Sequence, residues 1–440
     1  MAPSARGREW DREIARLAIP AFGALVAEPL YLLADTAVVG HLGTDQLAGL
    51  AVAAAILLTA HSLCTFLAYG TTSAVARLLG AGDEREAAHQ AVQGLWLGAL
   101  LGGALAALGW IFATPLIGVL TDDPSVAAEA EVYLRISLPG LPALLLVLAG
   151  TGYLRGLQDT RTPLVVALVS ATANLVMEVV LIYGFDQGIG ASALSTVLAQ
   201  WGAAAVYLRV VGRSARGLDV AIAPHAASLR RLLVVAQALV VRTLALRGSL
   251  VLATAVAARI GTEDLAAHQI SFELWSAFAY ALDAVAIAGQ AIIGRLLGAA
   301  EVVRAGDAGR RMLQIGLGTG VVAGLLVLAG RPFLPELFSP DPAVNVLTSF
   351  LLLFVAALQP VNAVAFVLDG LLIGAGDLAY LARAMVLAAL AFAAAASVVL
   401  LRDLGIGWLW VAIGCFSTVR TIPLLARWRS GAWAVTGATR

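Results

Sequence analysis

The feature that most constrains this chain is a series of long apolar runs separated by short polar segments. Each run is about 20 residues or longer, the length an α-helix needs to cross roughly 30 Å of hydrocarbon. A β-barrel would need shorter strands of alternating polarity. Only 13% of the 440 residues are charged and 60% are hydrophobic, whereas soluble proteins carry about 25% charged residues. The sequence therefore predicts an all-α integral membrane protein in contact with the lipid bilayer.

Hydropathy, with Gly, Pro and charge as boundaries, predicts twelve transmembrane helices. They cover about 14–39, 46–76, 88–114, 127–152, 162–184, 188–210, 230–257, 264–294, 308–330, 343–372, 380–401 and 406–426.

The arginines are distributed unevenly over the connections between these runs. Twenty-two lie in the termini and the connections of one side, including Arg6, Arg420 and Arg440, and three lie on the other. Cytoplasmic connections carry the excess of basic residues. We therefore expect both termini in the cytoplasm and an even number of spans. The use of arginine without lysine is typical of a GC-rich bacterial genome, so the expected location is the inner (plasma) membrane, multi-pass.

The chain repeats itself at an offset of 218 residues. "DTAVVGHLGTDQLA" (35–48) aligns with "ATAVAARIGTEDLA" (253–266), and near the end "DQGIG" (186–190) aligns with "DLGIG" (403–407) at an offset of 217. A solenoid has far shorter repeats. The period predicts two pseudo-symmetric six-helix bundles that share one orientation in the membrane. We place the N-terminal bundle at 1–212, a cytoplasmic linker at 213–228 and the C-terminal bundle at 229–440.

The first predicted span carries two acids, Glu28 and Asp35. Each costs about 2.5–3.5 kcal/mol at the centre of a bilayer. Their seven-residue spacing puts them on one helix face, about 10 Å apart along the axis. Pro20 and Pro29 in the same span each remove a backbone hydrogen bond and favour a bend. We expect a movable helix whose acids face a shared chamber.

The fifth predicted span carries Asn174 and Glu178, four residues apart and therefore one above the other on a helix. An amide beside a carboxylate in hydrocarbon needs partners. Each of the two can partner the other or a group on the first span. This pair is a second candidate for a cation or proton site.

The second half has a different set of polar residues. The repeat position of Asp35 is Ala253, and that of Glu178 is Ala396, or Ala395 if the one-residue slip already applies there. Cation coupling is therefore expected in the N-terminal half. A possible polar site in the C-terminal half comprises Glu273, Asp283, Gln290 and Asp369.

Structural roles compete with these functional ones. Glu28 can extend its carboxylate to the membrane surface, Asp35 and Glu178 can form a purely structural pair, and Glu273 and Asp283 can hydrogen-bond between helices. Arg242 and Arg247 can neutralise some of the acids. Candidate residues of a substrate cavity are Tyr31, His61, Phe66 and Trp275, which packing explains at least as well.

Motifs of energy-consuming and catalytic proteins are absent from the sequence. It has no GxxxxGK[ST] phosphate loop, no HExxH or GxSxG motif and no Cys/His cluster. We therefore expect no metal site, no cofactor, no nucleic-acid partner and no enzymatic activity. An ion gradient is left as the energy source.

Several segments resemble the multidrug and toxic compound extrusion (MATE) transporters, and within them the DNA-damage-inducible-protein-F-like branch. They are "EPLYLLADTAVVGHLG", "ARLLGAGD", "GYLRGLQDTRTP", "NLVMEVVLIYG" and "LDAVAIAGQAIIGRLLGA", which fall in both halves. The resemblance implies two six-helix bundles that export drugs or metabolites in exchange for H⁺ or Na⁺. It also implies that Asp35, Asn174 and Glu178 form a cation site.

The chain departs from that pattern in two places. Glu178 stands where Asp is common in the family. Sodium-coupled relatives use acids on spans 7 and 10, and only Asp369 is available here, which favours H⁺ over Na⁺. The resemblance thus predicts a monomeric secondary antiporter for small organic molecules, cationic or amphipathic, that works by alternating access.

Three other functions remain open at this stage. A flippase for a lipid-linked saccharide would need a more cationic interior. A membrane-embedded lipid transferase would need an acidic metal-binding pair at one membrane face. A passive structural or receptor role would leave the repeat and the aligned acids unexplained.

Overall fold

The computed structural model describes residues 5–185 and 187–438. This part of the chain folds into fifteen α-helices and one π-helical segment, Val180–Gly184, with no β-strand. The helices are α1 (Ala5–Gly40), α2 (Thr44–Cys64), α3 (Phe66–Gly80), α4 (Glu84–Gly118), α5 (Pro124–Ser137), α6 (Gly140–Gly156), α7 (Arg161–Val179), α8 (Ile189–Gly217), α9 (Ala226–Ile260), α10 (Thr262–Gly298), α11 (Val302–Gly330), α12 (Leu334–Phe338), α13 (Pro342–Gly374), α14 (Leu378–Leu401) and α15 (Ile406–Arg429).

Eleven spans of the described chain are long and apolar enough to cross a membrane, with α2 and α3 together counted as one. The pair α5 and α6, bent by 52° at its break, makes twelve when it is taken as one span. The expected number of spans agrees with this structure. The predicted spans are shorter than several of the helices. For example, α4 and α10 extend beyond both ends of the apolar runs from which they were predicted.

Three local features were not predicted. The second span is interrupted at Thr65, between α2 and α3. The fifth span ends in the π segment, directly after α7. The predicted linker is helical at both ends, since α8 continues to Gly217 and α9 begins at Ala226. Only residues 218–225 of that linker lie outside a helix.

These eight linker residues are fixed to α4. The buried Gln93 amide donates to the Ala223 carbonyl at 3.1 Å and accepts from the His225 backbone N–H at 2.8 Å. The Trp96 indole N–H donates to the Ile222 carbonyl at 2.7 Å. The linker is therefore an ordered strap along α4.

The chain packs into two compact units. One is residues Gly23–Ala236, and the other combines the segment that ends at Phe22 with the chain from Gln237 onward. The first turns of α1 thus pack with the second half, and the first turns of α9 with the first half. The bundle boundaries at 212 and 229 describe the sequence repeat and remain a prediction.

The sequence repeat reappears in the helix starts. Offsets of 218 relate Thr44 to Thr262, Glu84 to Val302 and Pro124 to Pro342, and an offset of 217 relates Ile189 to Ile406. Left-handed backbone recurs as well, at Gly82 (φ 78°) and Ala300 (φ 60°). The two halves therefore share their backbone plan.

Close helix packing also recurs at the same offset. A Cβ at Gly152 would come within 2.6 Å of the Ala68 carbonyl oxygen, and a Cβ at Gly370 would clash with the Ala286 carbonyl oxygen. Residues 68 and 286 differ by the same 218 positions as residues 152 and 370. In each half a glycine thus lets two helices approach backbone to backbone.

Candidate cation-coupling site

Seven polar residues of the unit Gly23–Ala236 gather where α1, α5, α7 and α8 meet. We call this group the Asp35 cluster; it comprises Tyr31, Asp35, Tyr133, Asn174, Glu178, Ser192 and Thr196.

Three helices each contribute a pair of residues spaced by four. These pairs are Tyr31 and Asp35 on α1, Asn174 and Glu178 on α7, and Ser192 and Thr196 on α8. Residues i and i+4 lie one above the other on a helix. The cluster therefore has two levels, with Tyr31, Asn174 and Thr196 in one and Asp35, Glu178 and Ser192 in the other.

Asp35 is 2% exposed and accepts a hydrogen bond from the Ser192 hydroxyl at 2.7 Å. The Ser195 hydroxyl, in turn, donates to the Ser192 carbonyl at 2.9 Å. A buried carboxylate is costly unless hydrogen-bond donors surround it. Ser192 of α8 provides such a donor without adding a charge.

The second level is centred on Thr196. Its Oγ1 lies 3.1 Å from the Asn174 amide nitrogen, which donates, and 2.9 Å from the Tyr31 hydroxyl. The Tyr133 hydroxyl faces Ser192 and Thr196 from α5. The Asn174 carbonyl oxygen is buried and makes no hydrogen bond within the described residues. It is thus available as a ligand.

Glu178 is fully buried and lies against Asp35 and Ser192. Neither of its carboxyl oxygens makes a hydrogen bond of good geometry within the described residues. No basic side chain belongs to the cluster. Two carboxylates in contact and away from water repel each other strongly, so one negative charge has to be neutralised by a proton or a bound cation. The π segment that begins two residues later is a feature common at functional sites.

Glu28 does not join this cluster. It lies two turns before Asp35 on α1 and is exposed, whereas Asp35 is buried. The helical period predicts on which face of a helix a side chain lies. It does not predict which neighbouring helices cover that face at each point along the helix. α8 covers α1 at Asp35, and a chamber shared by the two acids remains a prediction.

Asp369 on α13 has a different environment. Its Oδ2 accepts from the Arg242 guanidinium of α9 at 2.6 Å and from the Arg420 guanidinium of α15. Arg420 also lies over the Phe366 ring, 5.2 Å from its centre. Arg242 thus neutralises a buried acid, as one alternative suggested. Arg420 was wrongly assigned to the polar tail: it is buried within α15.

The other candidate residues of the second half have separate neighbours. Glu273 is exposed and accepts from Gln269 at 2.9 Å on its own helix. Gln290 is buried where α10 meets Gly374 of α13. Asp283 is half-buried on α10. That these residues form one site with Asp369 remains a prediction.

The four candidate cavity residues also differ in their surroundings. Tyr31 belongs to the Asp35 cluster, and His61 is half-buried on α2. Phe66 is buried and lines a small gap with Leu232. Trp275 packs against Phe272 with ring centres 5.4 Å apart. Their roles in substrate binding remain predictions.

Sequence reasoning missed Tyr133, Ser192 and Thr196. Ser, Thr and Tyr are common in membrane helices, where their hydroxyls also bond the backbone of the preceding turn. The available signal was the spacing of four between Ser192 and Thr196, which matches the spacing of Asn174 and Glu178.

Comparisons with known proteins agree with this architecture. The MatE family model matches residues 20–180 and 239–398. The chain is 32% identical over 433 residues to Protein DETOXIFICATION 44, chloroplastic, from Arabidopsis thaliana, covering 95% of this chain and 82% of that protein. It is 31% identical over 437 residues to DNA damage-inducible protein F from Escherichia coli K12, covering 96% and 94%. The resemblance to the latter branch is confirmed.

Solved structures show the same fold. An outward-facing multidrug resistance MATE family transporter of the MOP superfamily superposes with a TM-score of 0.86 at 20% identity, covering 96% of each chain. A MATE structure in a bent conformation gives 0.87 at 18% identity, covering 98% of each. The expected fold of twelve transmembrane helices in two pseudo-symmetric six-helix bundles is confirmed. With a family model that matches both halves, this protein belongs to the MatE family of multi-pass membrane transporters, which carry small organic substrates and are not enzymes.

Proposed function

We propose that the protein is a secondary active antiporter that exports small organic molecules, cationic or amphipathic, in exchange for H⁺ rather than Na⁺. The observation that carries this proposal is the contact between Asp35 and Glu178 in a buried cluster without a basic residue. Such a pair must gain and lose a cation if its charge is to change. The proposal includes cytoplasmic termini, which the distribution of arginine supports. It also places the protein in the inner membrane as a monomer.

The mechanism alternates access to this site. Protonation of Asp35 and Glu178 from the external side favours the inward-facing state and releases substrate outward. Deprotonation toward the cytoplasm then lets the next substrate bind. Pro20 and Pro29 give α1 two positions at which it can bend during this cycle. Coupling requires that proton and substrate prefer different states.

Two observations favour H⁺ over Na⁺. The Asp35 cluster contains four hydroxyl groups, which can stabilise a carboxyl group in either protonation state. Asp369, the acid that sodium coupling would need in the second half, already has two guanidinium partners. Na⁺ remains a testable competitor because Asp35, Glu178 and the Asn174 carbonyl provide oxygen ligands.

The available energy is sufficient for export. One charge that crosses a potential of 100 mV supplies about 2.3 kcal/mol. Each unit of pH difference supplies about 1.4 kcal/mol more. A modest proton gradient can therefore concentrate a substrate about tenfold per pH unit.

The test is transport in proteoliposomes with separately imposed pH and Na⁺ gradients and a panel of cationic dyes. Asp35→Asn should abolish export, since an amide cannot carry the proton, and Glu178→Gln should reduce it strongly. Glu28→Gln is the matched control, because it changes an exposed acid on the same helix, and it should retain export.

Normal export by the Asp35→Asn variant would refute the assignment of the coupling site. Export driven by an Na⁺ gradient at equal pH would replace H⁺ with Na⁺ in the proposal. A folded, membrane-inserted variant, shown by its elution in gel filtration, is required in each case.

A further inference from the structure

A basic cleft lies at the start of α1, far along the helix from the Asp35 cluster. It encloses about 790 Å³. Its lining belongs entirely to the unit formed by the beginning of α1 and the second half of the chain. Five arginines and two glutamates line the basic cleft: Arg8, Arg12 and Arg16 of α1, Arg295 of α10, Arg304 of α11, and Glu9 and Glu13 of α1.

Ion pairs fix the wall of the basic cleft. Arg295 donates to Glu13 at 2.6 Å. Arg311, just behind the lining, makes two hydrogen bonds to Asp11, at 2.6 and 2.9 Å. Because two guanidinium–carboxylate pairs connect α1 to α10 and α11, the arginines of α1 are presented from a defined surface.

Three arginines in this wall are not paired with an acid within the described residues. They are Arg8, Arg12 and Arg16, and all three are exposed. Their spacing of four places them along one face of α1. The five arginines outnumber the two glutamates by three charges. The basic cleft thus offers a row of guanidinium groups suited to phosphate oxygens.

This row continues directly into the membrane-spanning part of α1. Ile19, one turn after Arg16, is 69% exposed, and Phe22 is also exposed. The helix that is long and apolar enough to cross a membrane runs from Gly7 to Gly40, so these arginines lie in its first turns. A ligand with phosphate at the arginines and an apolar part along Ile19 and Phe22 would match both surfaces.

We propose that the basic cleft binds the headgroup of an anionic phospholipid, with its phosphate diester on Arg8, Arg12 and Arg16 and its acyl chains along the apolar surface of α1. Basic pockets and clusters beside transmembrane helices bind such headgroups. A soluble phosphate compound would use the arginines but not the adjoining apolar face. This site is independent of the proposed antiport.

The test measures lipid affinity of the full-length protein by native mass spectrometry in detergent, with cardiolipin, phosphatidylglycerol and phosphatidylcholine as probes. The change is the triple variant Arg8→Gln, Arg12→Gln, Arg16→Gln. Each arginine near a phosphate contributes about fivefold in affinity, so we expect roughly 100-fold weaker binding of cardiolipin or phosphatidylglycerol by this variant. Phosphatidylcholine binding should not change.

The matched control neutralises three exposed arginines at the end of α8, Arg209, Arg213 and Arg216, which have nearly the same spacing. It should bind the anionic lipids within about threefold of the unmodified protein, because these arginines lie outside the basic cleft and exposed charges are screened by salt. Equal losses in both triple variants would reduce the effect to general surface charge and overturn the proposal. Displacement of the bound anionic lipid by millimolar inorganic phosphate would indicate a site for soluble anions, and this result would also overturn the proposal.

Discussion

The two halves of the chain share a backbone plan but treat buried charge in opposite ways. In the first half, Asp35 and Glu178 face each other among uncharged donors. In the second half, Asp369 is held by Arg242 and Arg420. The first arrangement can change its charge by taking up a cation, whereas the second already has its counter-charges. One half is therefore suited to exchange ions and the other to keep a fixed electrostatic structure.

Residues at corresponding positions of the two halves account for this difference in buried charge. Asp35 corresponds to Ala253, and Asp369 corresponds to Thr151, whose hydroxyl bonds the Tyr207 hydroxyl at 3.0 Å. Arg242 corresponds to Ala24. At these three positions one half has a small or neutral residue where the other has a charge. The divergence lies in side chains and leaves the helix plan in place.

The largest effect on stability should come from Asp369→Asn. This change removes the negative charge that pairs with the buried guanidinium groups of Arg242 and Arg420. It should reduce the free energy of unfolding by about 3–5 kcal/mol. Asp35→Asn should change it by only about 1 kcal/mol, because no opposite charge is left unpaired. Denaturant unfolding of the purified proteins in detergent measures both.

A second substitution makes the comparison sharper. Adding Arg420→Gln to Asp369→Asn removes one of the two orphaned charges and should recover part of the lost stability. If Asp35→Asn destabilised the protein as much as Asp369→Asn, the contrast between an exchangeable and a fixed site would be wrong.

A smaller effect on stability should test the close helix packing that the two halves share. Gly152→Ala and Gly370→Ala each push a methyl group into the backbone of the neighbouring helix, so each should cost about 1–3 kcal/mol. The control is Gly103→Ala, where a Cβ has open space and helix propensity should add up to about 1 kcal/mol. Unequal costs at the two repeat positions, measured by thermal unfolding, would contradict the common packing.

The smallest effect concerns the two helix caps. Asp123 accepts from the Ser125 N–H at 2.9 Å and Asp341 from the Ala343 N–H at 2.8 Å. Replacing either by Ala should lower Tm on the order of 1 °C for a chain of this size, and slightly more at Asp123, which also accepts from the Ser125 hydroxyl at 2.8 Å.

The hydrogen bonds from Ser125 lower the pKa of Asp123 below its ordinary value. The contribution of the cap is therefore present above the unfolded-state pKa of about 3.9 and is lost as the pH falls through the folded-state value. The difference in Tm between Asp123→Ala and the unmodified protein should disappear at acidic pH. A difference that persists unchanged at a pH where titration shows Asp123 to be protonated would contradict this cause.

Much of the fold was predictable because apolar length and an internal repeat are long-range signals. The spans and the two-fold organisation follow from them, whereas the joint site of Asp35, Asn174 and Glu178 was implied by the resemblance to the MATE family. What escaped prediction depends on local packing: the break at Thr65 and the bend between α5 and α6. The hydroxyl groups around Asp35 were missed because they carry no charge that would mark them in an apolar helix. Arg420 was misplaced because its position near the chain end resembled a polar tail.

The π segment after Glu178 has a consequence for the history of the two copies. Between Asp159 and Ile189 the first copy is one residue longer than the second copy is between Asp377 and Ile406. The wide turn at Val180–Gly184 falls in that interval, whereas α14 is α-helical from Leu378 to Leu401. A single inserted residue absorbed as a wide turn explains both facts. An extra residue in a helix rotates the residues that follow it relative to those before it. The residues after Glu178 in the first half would therefore no longer have matched the corresponding residues of the second half.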